Sequence, residues 1–194
     1  MNRSCGLVAT GLFILGCAAG AAAQSDVMCI CADDEASATC GGNVDAAAFS
    51  QLTLYFCVLD PSEPEIKAWE AYLEIEGEDN LQGAWRVLGE GINFAPAPEF
   101  QVGITGAPLT PNNANLIPLL SMHAFILNEA PILFFIRPVP GSLGFPDLPG
   151  YACYVADPRP CTPCGTENWP SFTINSAAED EEKAWGEVKS LYDR

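Results

Sequence analysis

The stretch Trp69-Glu70-Ala71-Tyr72-Leu73-Glu74-Ile75-Glu76 alternates strictly, with Trp69, Ala71, Leu73 and Ile75 in one register and Glu70, Glu74 and Glu76 in the other. An extended chain places alternate residues on opposite faces, so this pattern builds a strand with one apolar and one wet face. The same period recurs outward from it. Phe49 to Leu59 predicts a long strand stopped by Asp60-Pro61-Ser62-Glu63-Pro64, and Val27 to Ala32 a short one ending at Asp33-Asp34-Glu35. Ala84 to Leu88, Phe100 to Ile104, Gly150 to Ala156 and Ser171 to Ile174 add further strands. Leu119 to Leu127 and Ile132 to Arg137 are expected to pair through the turn Asn128-Glu129-Ala130-Pro131. About nine short strands separated by Pro and Gly clusters predict a mostly β fold, a two-sheet antiparallel β-sandwich.

Both ends of the chain differ from this body. Met1-Asn2-Arg3, the apolar run Cys5 to Cys17 and the small residues Ala18 to Ala23 have the layout of a secretory signal peptide, with cleavage expected after Ala23. The alternative is lipid attachment at Cys17, which follows Leu15-Gly16. The apolar run is shorter than the roughly 20 residues a spanning helix needs, so no transmembrane segment is expected in the mature chain. At the other end, Ser176-Ala177-Ala178-Glu179 forms a capping box ahead of a segment with acids first and Lys189 and Arg194 last. Trp185, Val188, Leu191 and Tyr192 share one face of that helix, which either docks on the sandwich or offers Trp185 and Tyr192 to a partner. The expected organisation is a signal peptide over 1–23, a sandwich over 24–175 and a C-terminal amphipathic helix or tail over 176–194.

The 194-residue chain carries 25 acids against 8 Lys and Arg, a net charge of −17 that becomes −18 once Arg3 is removed. The remaining cations are Lys67, Arg86, Arg137, Arg159, Lys183, Lys189 and Arg194, scattered singly. A nucleic-acid face needs clustered basic residues, so no nucleic-acid partner is expected, and an anionic membrane surface is disfavoured for the same reason.

Seven cysteines follow the expected cleavage point. In an oxidising compartment Cys29, Cys31, Cys40, Cys153, Cys161 and Cys164 are candidates for disulfides, and Cys57, inside the apolar run Leu52 to Leu59, is the candidate unpaired thiol. Cys161-Thr162-Pro163-Cys164 has the spacing of a redox dithiol, but Pro160 before it and Gly165 to Pro170 after it leave no helix to lower a thiol pKa. Cys29, Cys31, Cys161 and Cys164 nominally supply four zinc ligands. A structural role outranks both readings, and no cofactor is expected.

Three stretches carry a resemblance: the long strand and Asp-Pro turn of Ser50 to Pro64, the aromatic and acidic alternation of Ile66 to Ile75, and Leu119 to Leu127 with the strand after it. Together with the ending Trp185 to Tyr192, they resemble small exported bacterial proteins of unknown function built as immunoglobulin-like or cohesin-like β-sandwiches. The resemblance implies an immunoglobulin-like or cohesin-like jelly roll and a place outside the cytoplasm; the seven cysteines depart from the cohesin pattern.

Chemistry is harder to place. The one histidine, His123, sits among apolar neighbours with no nucleophile motif or orienting acid, so a core or sheet-face role is expected. No Gly-x-Ser-x-Gly elbow, phosphate loop or two-histidine metal motif occurs. Paired carboxylates leave a hydrolase as a lesser alternative. The acids at Glu74, Glu76, Glu78 and Asp79 with Asn80, and at Asp33 to Glu35, leave calcium-dependent binding as another, without the ligand spacing of an EF-hand. The favoured expectation is a secreted, periplasmic or envelope-associated module without catalytic activity, for binding or adhesion to an unknown protein or glycan. The loops Gly89 to Glu99 and Pro138 to Pro149 supply its candidate contacts, Phe94 and Phe145.

Overall fold

The computed structural model describes residues 26–32, 42–154 and 157–176. Two packed sheets form a β-sandwich. The first contains β1 (Val27–Cys31), β3 (Gln51–Leu59), β5 (Leu81–Gln82), β6 (Arg86–Val87), β9 (Leu116–Ile126) and β13 (Thr162–Pro163). The second contains β2 (Gly42–Val44), β4 (Ala68–Glu76), β7 (Gly91–Asn93), β8 (Glu99–Ile104), β10 (Ile132–Arg137), β11 (Gly150–Ala152), β12 (Arg159–Pro160) and β14 (Phe172–Ile174). A single 3-10 turn, Glu78–Asn80, is the helical element among the described residues.

The alternation of residues 69–76 does what its period dictates. Trp69, Ala71 and Leu73 enter the core between the sheets, where they meet Phe56, Met28 and Ile30 from β3 and β1 and Phe134 and Phe172 from β10 and β14. Phe56 and Trp69 touch across the sandwich with ring centroids 5.6 Å apart, and Trp69 stacks in turn on Phe100 at 5.9 Å. Glu70, Tyr72 and Glu74 occupy the outward face of β4.

Two expectations need correcting. Leu119 to Leu127 and Ile132 to Arg137 do not pair: β9 lies along β3 in the first sheet, and β10 lies between β4 and β14 in the second. The Asn128–Pro131 turn therefore carries the chain from one sheet to the other, and each strand's inward residues face the shared core. The sheets are also mixed rather than wholly antiparallel, because β1 runs parallel to β13 and β14 runs parallel to β2.

Strand β9 contains a proline, which a regular ladder disfavours. The register slips by one residue between Phe56 and Cys57, where Leu120 and then Pro118 become the partners. A bulge is where a strand accepts proline, because the ladder is already interrupted there. The slip also turns Leu119 and Leu120 both into the core while Leu116 faces the other side of the sheet. Strand β3 ends at Asp60, whose φ of 49° is tolerated by Asp; its N–H donates to the Asn115 carbonyl at 3.0 Å, and Asn115 Nδ2 donates back to Asp60 Oδ1 at 2.9 Å.

The expected signal peptide with Cys17, the expected turn Asp33 to Glu35, Cys40, and the expected tail helix with Trp185 and Tyr192 fall outside the described residues. Among the described residues no helix is long and apolar enough to cross a membrane.

Candidate binding site

The outward side of the second sheet is organised around β4. Glu70 has Gln101 of β8 on one side and Gly150 of β11 on the other; Ala68 is flanked likewise by Gly103 and Ala152. Small side chains at Ala68, Gly103, Gly150 and Ala152 leave the sheet face low at this point. Two aromatic rings stand beside the depression. Phe94 follows β7 and lies against Gly103, with its Cε2 3.2 Å from the position of a Cβ there, while Phe145 lies against Gly150 so closely that a Cβ there would collide with its ring. A ring laid over a strand glycine restores packing that the glycine lacks. The result is a trough of about 260 Å³ with Phe94 and Phe145 as walls and Ala68, Gly103 and Ala152 in its floor.

Phe94 is 74% exposed, so its position over Gly103 leaves most of the ring available from solvent. Other exposed apolar groups are Ile92, half exposed, Leu143, fully so, and Tyr154, exposed with Lys67 Nζ 4.6 Å from its ring centroid. The two loops that composition singled out, 89–99 and 138–149, thus converge on one feature, although they are far apart in sequence and attached to different strands.

The second loop is anchored by one side chain. Ser142 is buried; its hydroxyl donates to Glu70 Oε1 and accepts from the N–H groups of Gly144 at 3.2 Å and Phe145 at 3.1 Å. Glu70 therefore fixes the loop from the sheet, and Ser142 fixes Phe145. Sequence periodicity places Glu70 on a wet face and gives no signal for this second role.

Past the Ser142 loop the outward face of β4 continues into a more polar cleft of about 780 Å³, walled by Tyr72, Leu148 and several prolines including Pro138 and Pro163. Its charged centre is internally satisfied: Arg137 Nε donates to Glu74 Oε2 at 2.5 Å, Arg137 Nη1 donates to the Glu167 carbonyl at 3.3 Å, and the guanidinium lies 5.1 Å from the Phe135 ring centroid.

The remaining sequence candidates are placed as follows. His123 is on the sheet face, exposed, with Nδ1 3.1 Å from Thr53 Oγ1, and no carboxylate orients it. Glu74, one of the acids considered for calcium, is held by Arg137, and Asn80 Oδ1 accepts from Asn128 Nδ2 at 2.8 Å; among the described residues no three acids, histidines or cysteines gather around a metal-sized space. Cys161 is in the core while Cys164 is on the opposite face of the first sheet, with β13 between them and no helix at either. Burial pushes the Cys161 thiol pKa upward, with Asp26 adding to the effect, which is opposite to a reactive dithiol. Cys153 is half-buried at the end of β11.

Cys29, Cys31 and Cys57 share the outward face of the first sheet with Cys164, among Val27, Leu116, Tyr55 and Leu59. Alternation along β1 sends Met28 and Ile30 to the core and the two cysteines outward, and the β1–β3 register sets Cys29 opposite Cys57.

One part-buried polar network ties Asp26, just before β1, to the turn after β3 and to β11 and β12. Tyr151 OH donates to Asp26 Oδ1 at 2.5 Å and accepts from the Glu63 N–H at 3.3 Å; the Ser62 N–H donates to the same Asp26 oxygen at 2.8 Å. Arg159 then holds Glu63 through Nε at 2.9 Å and Nη2 at 2.5 Å. Burial, followed by the bond to Asp26, pushes the Tyr151 pKa up to about 12. Every carboxylate in this network has a structural partner.

Comparison with protein-family models and with curated proteins found no match.

Proposed function

We propose that this chain is an exported, non-catalytic β-sandwich module of the immunoglobulin-like or cohesin-like kind that binds a protein partner through the Phe94–Phe145 trough. The observation that carries the reading is the convergence of two separate loops on one largely apolar depression whose floor is kept low by Gly103, Ala68 and Ala152, with Phe145 seated against Gly150. Preformed concavities with aromatic walls bind with little ordering cost, because the rings have few rotamers to lose. A space of about 260 Å³ suits one aromatic or long aliphatic side chain. The net charge of −17 attracts basic flanks and repels acidic ones, so the partner segment presents an apolar anchor beside Lys or Arg. Export and disulfide formation belong to the same reading, supported by the leader-like start and the cysteine content of the sequence.

Panning a displayed random-peptide library on the full chain tests this. The expected result is enrichment of peptides with an aromatic or aliphatic anchor and basic neighbours, lost when the bait carries Phe94→Ala and Phe145→Ala. Peptides that ignore the double substitution, or retardation of the chain by a neutral polysaccharide in affinity electrophoresis with no peptide enrichment, would overturn it.

A further inference from the structure

We propose that the uncovered edge of β4, at Leu73 to Ile75, is a docking site for an extended, basic segment of a partner polypeptide, which joins the sheet as an added strand. The proposal goes beyond the trough reading, and the space along this edge shares no residue with the trough.

The register leaves the edge open. On one side β4 is paired along its length, Ala68 to Glu70 with β11 and Tyr72 to Glu76 with β10. On the other side β8 covers only Ala68 to Tyr72. The Leu73 N–H still donates to the Pro98 carbonyl at 3.1 Å, and there the cover ends. Proline has no N–H to return to the Leu73 carbonyl, and the chain turns away, with the Glu99 N–H bonding back to the Pro96 carbonyl at 2.9 Å. In an antiparallel ladder every second residue points both backbone groups to the same side, so the Ile75 N–H and carbonyl point where the Leu73 N–H does. Among the described residues no backbone group meets them there.

A strand edge with unpaired groups is a template for another strand, and here there is room for one. A cavity of about 420 Å³ is lined by Tyr72, Leu73, Glu74 and Ile75 together with Trp85 and Met122. Tyr72 and Glu74 belong to the outward face of β4, whereas Leu73 and Ile75 pack on the core. One space touches both faces of a strand only along its edge. An added strand running in the direction of β8 sets one residue opposite Ile75, exchanges two hydrogen bonds with it, and turns its inward side chains toward Trp85 and Met122. The charge of the occupant follows from the acids beside it. Glu76, Glu78 and Asp79 are exposed at the end of this edge, and neither ion pair among the described residues engages them. Lysine or arginine flanking the added strand complements them.

The test uses the full chain, labelled with nitrogen-15, and the capped peptide Lys-Val-Thr-Val-Lys. Titration is expected to shift the Ile75 amide resonance saturably and to slow its exchange with solvent. In the antiparallel arrangement the valines face inward and direct their N–H groups to β4, while the threonine N–H points away. N-methylation of both valines is therefore expected to weaken binding about tenfold or more, whereas N-methylation of the threonine leaves it unchanged. Glutamates in place of the lysines should also weaken it. The Phe94→Ala, Phe145→Ala chain is expected to bind this peptide as the wild type does, so failure of the trough reading leaves this result standing. Four outcomes would overturn the proposal: no response at Ile75, equal binding of both methylated peptides, equal binding of the acidic peptide, or Ile75 protection that grows with protein concentration alone, which would make the occupant a second copy of the chain.

Discussion

Phe94 rests on Gly103 and Phe145 rests on Gly150, but the two glycines are not equivalent. A Cβ at Gly103 would meet only the Phe94 ring, at 3.2 Å, whereas a Cβ at Gly150 would meet the Phe145 ring and also the Arg159 carbonyl oxygen at 2.7 Å. An exposed ring swings away cheaply; a strand carbonyl moves only with its ladder. Gly103→Ala is therefore expected to leave the melting temperature nearly unchanged while weakening any peptide selected on the trough. Gly150→Ala is expected to cost roughly 1–3 kcal/mol, read as a lower urea midpoint. Equal stability losses in both variants would contradict this arrangement.

Ser142 carries a separate prediction, because one hydroxyl organises the loop that delivers Phe145. Replacing it with alanine removes the donor to Glu70 and the acceptor for two N–H groups. The expected cost is about 1–3 kcal/mol locally, and the readout is limited proteolysis. Cleavage should accelerate beside the fully exposed Leu143, with the remaining sandwich staying intact. An unchanged nicking rate would show that the loop is held by something other than Ser142.

Much of this fold is legible in the amino-acid sequence, and the reasons are local. Residues 69–76 announce their strand because one buried face forces a two-residue period, and 132–137 do so as a short, continuous apolar run bounded by turn residues. Cys161 to Cys164 was legible as non-helical because Pro160 and Gly165 bracket it. Strand β2 and the two-residue strands were not, since three or fewer residues carry no period. The separation of β9 from β10 is not legible, because a four-residue turn fits a hairpin and a sheet-to-sheet crossing equally well; only the register with β3 and β4 separates them. Phe94 and Phe145 stood out by composition, but Gly103 and Gly150, which make their place, are ordinary strand glycines until the rings are seen over them.

Tyr151 supplies a pH prediction. Its pKa is raised from 10 to about 12 in the folded chain, so folding favours the protonated phenol. Below pH 10 both folded and unfolded chains hold that proton and the full contribution is present. Between pH 10 and about 12 the unfolded chain releases it first, and stability falls with rising pH. Tyr151→Phe should be less stable at neutral pH, because Asp26 and the Glu63 N–H lose a buried partner, by about 1–3 kcal/mol. The same variant should lose part of the alkaline decline. Urea midpoints across that range test it, and parallel curves for the two proteins would remove Tyr151 as the cause.

The contact between Phe56 and Trp69 joins the two sheets at the centre of the core, and both side chains are buried. Phe56 is fully buried within the core cluster, between strands of both sheets, so few neighbours are free to collapse into the space it fills. Truncating a fully buried phenylalanine costs about 3–5 kcal/mol, with the upper end expected where the surroundings cannot relax. That is a large share of the 5–15 kcal/mol that stabilises a typical domain. Phe56→Ala should therefore lower the urea midpoint sharply. Phe56→Leu keeps most of the volume and should cost less than half as much. Indole fluorescence gives an independent reading: Trp69 loses its ring neighbour on the β3 side but keeps Phe100, so folded Phe56→Ala protein should show altered Trp emission before any unfolding begins. If both variants cost the same, the site relaxes, and the sheets are held together elsewhere in the core.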